Sequence, residues 1–407
     1  MCVNKHEAPL MLASVEAARA RMLEFIDALP CEEELLDRAY GRVLAEPIVA
    51  LRDQPPFAAS AMDGYALRAD DTPGTLVLIG ESAAGAGYSG GLGKGQAVRI
   101  FTGAPLPEGA DAIAIQEDVR RADGQIHAPE TPAGRHMRAR GIDFTAGRTL
   151  LDAGALLDGV ALSLAAASGH AKLPVRRRPR MALLSTGDEI VAPGAEIGPH
   201  QIYESVSFGL AGLIQGWGGE AIRLAPSGDD VGEIAKAARE AMTRSDLLIT
   251  IGGASVGEHD LVKPALASLG LALAVDKVAV RPGKPTWFGQ TSHGPALGLP
   301  GNPASALVCA FLFLRPILDR MLGRTRDDRS LKAHLAGPLA ANGPREHYLR
   351  ARLSAAEDGR LLVAPFEQQD SSLLSVFQNS NALVRLQPHA PALQTGERVE
   401  ILPLDRS

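Results

Sequence analysis

The sequence predicts a multidomain α+β and α/β protein: a helical frame with an inserted β domain, a mostly parallel doubly wound α/β domain, and a small C-terminal β-barrel. Three observations predict it. Strand-like and helix-like runs alternate between residues 181 and 322, the signature of a parallel sheet covered on both faces. Short β-rich runs split by Gly, Pro and Asp fill residues 76–128 and return from 331 to the end. The 407 residues also exceed what one core holds, so about three or four domains are expected.

The elements follow in order. Residues 14–29 place Val15, Ala18, Met22, Phe25, Ile26 and Leu29 on one helical face, and Pro30 stops the helix. Residues 34–51 read as a second short helix running into a strand. The runs TLVLIG, AVRIF, AIAIQEDV and QIHA form the inserted β domain, and 158–168 is helical again. Beyond Arg176-Arg177-Arg178-Pro179-Arg180, read as a solvated linker, strands are expected at 181–184, 221–224 and 247–251. Helices are expected at 203–215, 231–242, 261–269 and 304–322, the last kinked at Pro316, which lacks a backbone donor. HYLRARLS, LLVAPFE, ALVRLQ and RVEILPL supply the barrel. The boundaries read as 1–50 with 144–175 for the frame, 51–143 for the insertion, 176–326 for the α/β domain and 327–407 for the barrel.

Composition narrows the function. Only 4% of residues are aromatic and the net charge is −6. A nucleic-acid binder needs stacking platforms or a basic surface, so no nucleic acid is expected as partner. Three cysteines without CxxC spacing imply neither a disulfide framework nor a zinc site; reduced thiols in a cytoplasmic protein are expected. No signal peptide is read, and the longest apolar run, 304–314, is far short of a membrane span.

The chemistry concentrates in glycine-rich turns after apolar runs. Leu247–Ile251 leads into Gly252-Gly253-Ala254-Ser255-Val256-Gly257-Glu258-His259-Asp260. Leu297-Gly298-Leu299 leads into Pro300-Gly301-Asn302-Pro303 and an apolar helix. Strand, glycine turn and helix bring backbone N–H groups and a helix N-terminus to one anion site. Lys277, Arg281 and Lys284 lie between the turns. Ser185-Thr186-Gly187-Asp188-Glu189, Asp229-Asp230 and Asp260 follow successive strands, so carboxylates line one sheet edge. Any one of them alone is better read as a helix cap. As a set they suggest a bound anion with a divalent metal. Asp63-Gly64 and Thr102-Gly103 alone are turn signals.

Six motifs, in order along nearly the whole chain, resemble the molybdopterin molybdenumtransferase family, the MoeA-like proteins and the gephyrin E domain. They are PFAASAMDGYA, RIFTGAPLPEGADAIAIQED, STGDE, GGASVGEHD, VRPGKP and LPGNPASA. The resemblance implies an α/β domain of the molybdopterin-binding type. It implies an enzyme that inserts molybdate into adenylylated molybdopterin, releases AMP and requires Mg²⁺. By motif position, Asp63, Thr102 and Asp143 would act from the inserted domain in a homodimer, facing the partner's α/β domain. Glu189, Asp229 and Asp260 would be catalytic and hold Mg²⁺. Gly252, Gly253 and Ser255 would hold the pterin phosphate, and Lys277, Arg281 and Lys284 would offset substrate charge. Pro300 and Pro303 would shape the turn beside molybdate, with Arg350 and Ser371 as further oxyanion contacts. The molybdopterin adenylyltransferase and apo-molybdoenzymes are the implied protein partners. Two departures stand out: Arg281 replaces a Lys frequent in the family, and Val206 replaces an Asn. An adenylyltransferase acting on molybdopterin and a non-catalytic scaffold remain alternatives, because fold alone does not set function.

Overall fold

The computed structural model describes residues 12–253, 261–324 and 330–405. Compactness divides the chain into two units: Glu33–Pro174, and the residues before and after it.

In the Glu33–Pro174 unit a six-stranded sheet runs Ala112–Ile115, Gly64–Leu67, Gln96–Ile100, Gly74–Ser82, Gln125–Ala128, Arg120–Ala122. Alternation sorts its faces: Tyr65 and Leu67 join one apolar cluster, and Ala66 joins another with Ile100 and Ile113. The helix Gly159–Ala167 forms as expected, with the Asp158 carboxylate accepting the Ala161 N–H at 2.8 Å. The short helix expected at the start of 34–51 does not form. The strand Cys31–Leu35 and the 3₁₀ turn Leu36–Arg38 stand in its place, and Ile48–Val49 is the strand expected after it. The N–H groups of Leu36, Leu44, Ala45 and Ala50 go to the carbonyls of Ala171, Ala155, Pro174 and Arg148. Long-range pairing thus takes the donors that a helix would have used.

In the other unit one sheet contains β1 (Arg180–Ser185), β2 (Glu220–Arg223), β3 (Leu247–Ile251), β4 (Ala272–Val275), β5 (Trp287–Thr291) and β6 (Gly294–Leu299), in the order β2-β1-β3-β6-β5-β4. β2, β1, β3 and β6 are parallel, and β5 is antiparallel to both neighbours. The chain leaves β1 toward β2, then returns to β3 on the other side. Such a switch point opens a crevice at the carboxyl ends of β1 and β3. Helices Val231–Met242 and Val262–Ala267 cover one face, burying Ile234, Ala238, Val262 and Leu266 against Leu184 and Leu248. The helix expected from 203 starts at Val206, because Ile202–Tyr203 is a short strand paired with Ile190–Val191. The helix Val15–Leu23 belongs to this unit too, although residues 1–50 read as frame.

The long helix expected at 304–322 is observed in three continuous pieces: α-helix Pro303–Cys309, π-helix Ala310–Leu314 and α-helix Arg315–Met321. The widened turn directly precedes Pro316, whose ring would otherwise meet the carbonyl four residues back. Beyond it, β7 (Leu331–Leu335), β8 (Glu346–Ala355), β9 (Leu361–Pro365), β10 (Ala382–Leu386) and β11 (Arg398–Pro403) close in the order β8-β9-β7-β11-β10, with β10 pairing β8. This is the expected barrel, filled by Ala333, Leu335, Ala351, Val363, Val384 and Ile401. No helix among the described residues is long and apolar enough to cross a membrane.

Candidate active site

The carboxyl ends of β1, β3 and β6 converge. Thr186 N–H donates to Ile251 and Gly252 N–H to Leu299. Gly252 and Gly253 have φ of +89° and +59°. A Cβ on Gly252 would sit 2.8 Å from the Thr186 carbonyl oxygen, and one on Gly301 3.4 Å from Gly252 Cα. At Gly252 only glycine lets the two loops approach this closely, as a phosphate cradle requires, whereas a Cβ on Gly301 would make ordinary contact. The Thr186 Oγ1 is buried at this turn without a hydrogen-bond partner among the described residues. A buried hydroxyl left unpaired calls for a ligand or water. Glu189 and Asp229 are exposed at the same edge, and Asp229 N–H donates to the Asp188 carboxylate at 2.9 Å, tying the two acidic loops together. Ser255 and Asp260 lie outside the described residues.

Val206 is buried and apolar, so its side chain offers no polar contact. Ser207 does not replace it at the edge. Its hydroxyl donates to Glu204 at 2.6 Å and accepts from Arg223 at 2.8 Å inside the protein.

A cavity of about 610 Å³ opens between the Arg281–Pro285 loop, the Pro300–Asn302 turn and the barrel. Arg281, Lys284, Pro300 and Ser371, all expected as site residues, line it together. The two-residue strand Val280–Arg281 pairs with Glu346–His347 at the start of β8, which joins the cationic loop to the barrel. Pro303 opens its helix, and the Ala304 N–H donates to the Ser371 carbonyl at 2.9 Å. Arg350 is 1% exposed and stands behind the wall. Its Nε donates to Gln369, which lines the cavity, and Nη1 to the Leu373 carbonyl at 3.3 Å, while Nη2 is buried without a partner among the described residues. Burial lowers the guanidinium's proton affinity, with Asp370 opposing. Lys277 stands apart, with its ammonium 4.0 Å from Asp276.

The cationic loop is held from beneath. Thr286 Oγ1 lies 2.8 Å from the Gly283 carbonyl oxygen and 3.1 Å from Cys309 Sγ. The Cys309 thiol itself lies 3.9 Å from the same carbonyl and donates toward it, so the Gly283 oxygen is the acceptor both side chains share. That needs a protonated thiol, and burial pushes Cys309 up to about 12.

In the Glu33–Pro174 unit the structure brings Asp63 and Thr102 together from motifs 39 residues apart. The Asp63 carboxylate accepts both the N–H and the hydroxyl of Thr102 at 2.7 Å. The backbone bond first, then the hydroxyl, hold its pKa below the usual carboxylate value, because both favour the charged form. Thr102→Val should therefore move the Asp63 titration part of the way back toward the ordinary value. Carboxyl-carbon NMR titration reads this directly; an unmoved midpoint would remove the hydroxyl from the account. Asp143 is exposed, and among the described residues no hydrogen bond joins it to Asp63 or Thr102.

Sequence reasoning missed Arg345, His347, Glu367, Gln369 and Asp370 in the cavity wall. The histidine that opens HYLRARLS was a signal for one of them, but reading the run as barrel strand hid its part in a site.

Family profiles match three consecutive stretches: the MoeA N-terminal region (domain I and II) at 13–169, a probable molybdopterin binding domain at 182–320, and the MoeA C-terminal region (domain IV) at 332–404. The chain is 35% identical over 402 residues to the molybdopterin molybdenumtransferase of Haemophilus influenzae, covering 97% of this chain and 99% of that protein. It is 31% identical to the protein so named in Bacillus subtilis, covering 95% and 93%. Among solved structures, a molybdopterin biosynthesis MoeA protein of Pyrococcus horikoshii superposes with a TM-score of 0.84 at 33% identity, over 96% of this chain and 99% of that one.

Proposed function

The chain belongs to the MoeA family, the molybdopterin molybdenumtransferases of molybdenum cofactor biosynthesis, and from that premise we propose that it inserts molybdate into adenylylated molybdopterin and releases AMP. One observation carries this reading. The Pro300–Asn302 turn belongs to both parts of the site: it directly follows Leu299, whose carbonyl accepts the Gly252 N–H at the glycine edge, while Pro300 and Asn302 line the cationic cavity. A phosphorylated pterin at the edge and a tetrahedral dianion in the cavity would thus meet at one turn.

The roles follow from the chemistry. The Gly253 backbone donor holds a phosphate oxygen, Gly252, whose own N–H goes to Leu299, leaves room for it, and the orphan Thr186 hydroxyl can add a further donor. Arg281 and Lys284 offset the dianion's charge, Arg281 with a planar fork that the Lys of relatives lacks. Arg350 and the Ser371 hydroxyl complete the oxyanion contacts, and Pro303 keeps the turn rigid. Lys277 acts on charge at longer range.

Exposed carboxylates on adjacent loops are a donor set that fits Mg²⁺, which prefers oxygen ligands and retains several waters. Glu189 and Asp229, with Asp260, would hold it. Bound Mg²⁺ supplies charge neutralisation at the phosphoanhydride.

We read the active species as a cytoplasmic homodimer in which Asp63, Thr102 and Asp143 of one subunit serve the partner's edge. The adenylyltransferase would supply its substrate, and apo-molybdoenzymes would take its product. Mixing inactive Asp63→Ala and inactive Asp260→Ala chains should then restore part of the activity. Restoration failing in a verified mixed dimer would refute the shared site. The reaction itself is tested with purified protein, adenylylated molybdopterin, Mg²⁺ and molybdate. AMP release that depends on molybdate and yields active cofactor is expected, and release indifferent to molybdate would overturn the reading.

A further inference from the structure

A histidine stands in the wall of the cationic cavity, and none of the six motifs contains it. We propose that His347 is a further ligand of the tetrahedral anion, and that the anion enters together with a proton that His347 takes up. This rests on reading the cavity as the oxyanion site.

His347 is the second residue of β8, in register with Arg281 across the short parallel pairing, and is 9% exposed. The charged groups around it come from every neighbouring element. Arg281 and Lys284 face the cavity from the loop, Arg345 and Arg350 flank His347 along its own segment, and Glu367 and Asp370 stand on the segment after β9. Burial, then Arg281, Arg345 and Arg350, push the imidazole down to about 4, so it is neutral near pH 7. Three cations around a half-enclosed space disfavour a fourth only while the space holds no counter-charge. A dianion among them reverses the local field and favours the imidazolium, which then offers a charge-assisted hydrogen bond. The neutral side chain is thus a donor held in reserve, charged when the anion arrives.

Linkage makes this measurable. A ligand that prefers the protonated protein binds more tightly as pH falls through the window between the two pKa values. If the bound anion restores the ordinary imidazole value, affinity should rise about tenfold from roughly pH 8 to 5.5. Sulfate is the probe, because it remains a dianion over this range and molybdate can be used to displace it.

The experiment is calorimetric titration of the full chain with sulfate across pH, in buffers of different ionisation heat. The expected result is proton uptake near pH 6 and a pH slope that His347→Gln abolishes. Proton uptake is read in the unaltered protein, so the test stands even if the variant folds poorly. Binding without proton uptake, or with the same slope in His347→Gln, overturns the role of His347 and leaves the anion site intact. Absence of both sulfate and molybdate binding at every pH overturns the cavity reading and this inference together.

Discussion

Arg350→Ala should raise the molybdate concentration needed for half-maximal cofactor formation on the order of tenfold or more, and should also lower stability. The first effect follows from removing Nη2, the donor of Arg350 left without a partner among the described residues; a charge-assisted hydrogen bond from it to the dianion would contribute about 1.5–3 kcal/mol, where ~1.4 kcal/mol is a factor of ten. The second follows from burial. Arg350 is 1% exposed, and its removal strips Gln369 and the Leu373 carbonyl of a donor. Truncating such a buried network costs about 2–4 kcal/mol. The two effects separate in Arg350→Lys, which keeps charge but loses the fork. That variant should recover stability more than oxyanion affinity. Excess molybdate should partly rescue Arg350→Ala, while binding of adenylylated molybdopterin stays nearly intact. Had Arg350 been a surface strand residue, little would change on substitution. An unaltered molybdate titration would therefore remove it from the site.

Gly283→Ala should disable the cationic loop. Gly283 has φ +110°, and a Cβ there would fall on Cys309 Sγ. Strain of this backbone type costs about 1–3 kcal/mol for a residue with a side chain, and the clash adds to it. The loop must lift, carrying Arg281 and Lys284 away from the cavity, so anion affinity should fall with stability. Gly337→Ala is the control, since an added Cβ there meets nothing within 4 Å. A double-mutant cycle with Cys309→Ala isolates the clash. Gly283→Ala should cost clearly less in the Cys309→Ala background, with the φ strain left over. Additive costs would show that the thiol does not set the height of the loop.

Legibility differed by element. Val231–Met242 and Leu247–Ile251 match their sequence reading residue for residue, because apolar spacing and Asp230 as a cap act locally. The stretch 34–51 misleads because its helical pattern is overruled by carbonyls far along the chain, those of Arg148, Ala155, Ala171 and Pro174. The π-helix Ala310–Leu314 was signalled by Pro316 only as a disturbance, since a proline states what cannot form and not how the chain accommodates it.

The candidate site divides the same way. Sequence by itself determined the residue types of this protein's chemistry: the glycine turns, the carboxylates after strands, the VRPGKP cations and the six-motif resemblance. Those are local properties of short peptides, each fixed by what glycine, proline or a charged side chain can do on its own. Only the tertiary structure decided which of them meet. Arg281, Lys284, Pro300 and Ser371 share one cavity, while Lys277 pairs with Asp276 outside it. Arg350 is buried behind the wall and His347 stands in it. That outcome depends on Val280–Arg281 pairing with the distant Glu346–His347, and on Cys309 filling the space beneath Gly283. Such proximity arises from packing between distant segments, and no local pattern encodes it.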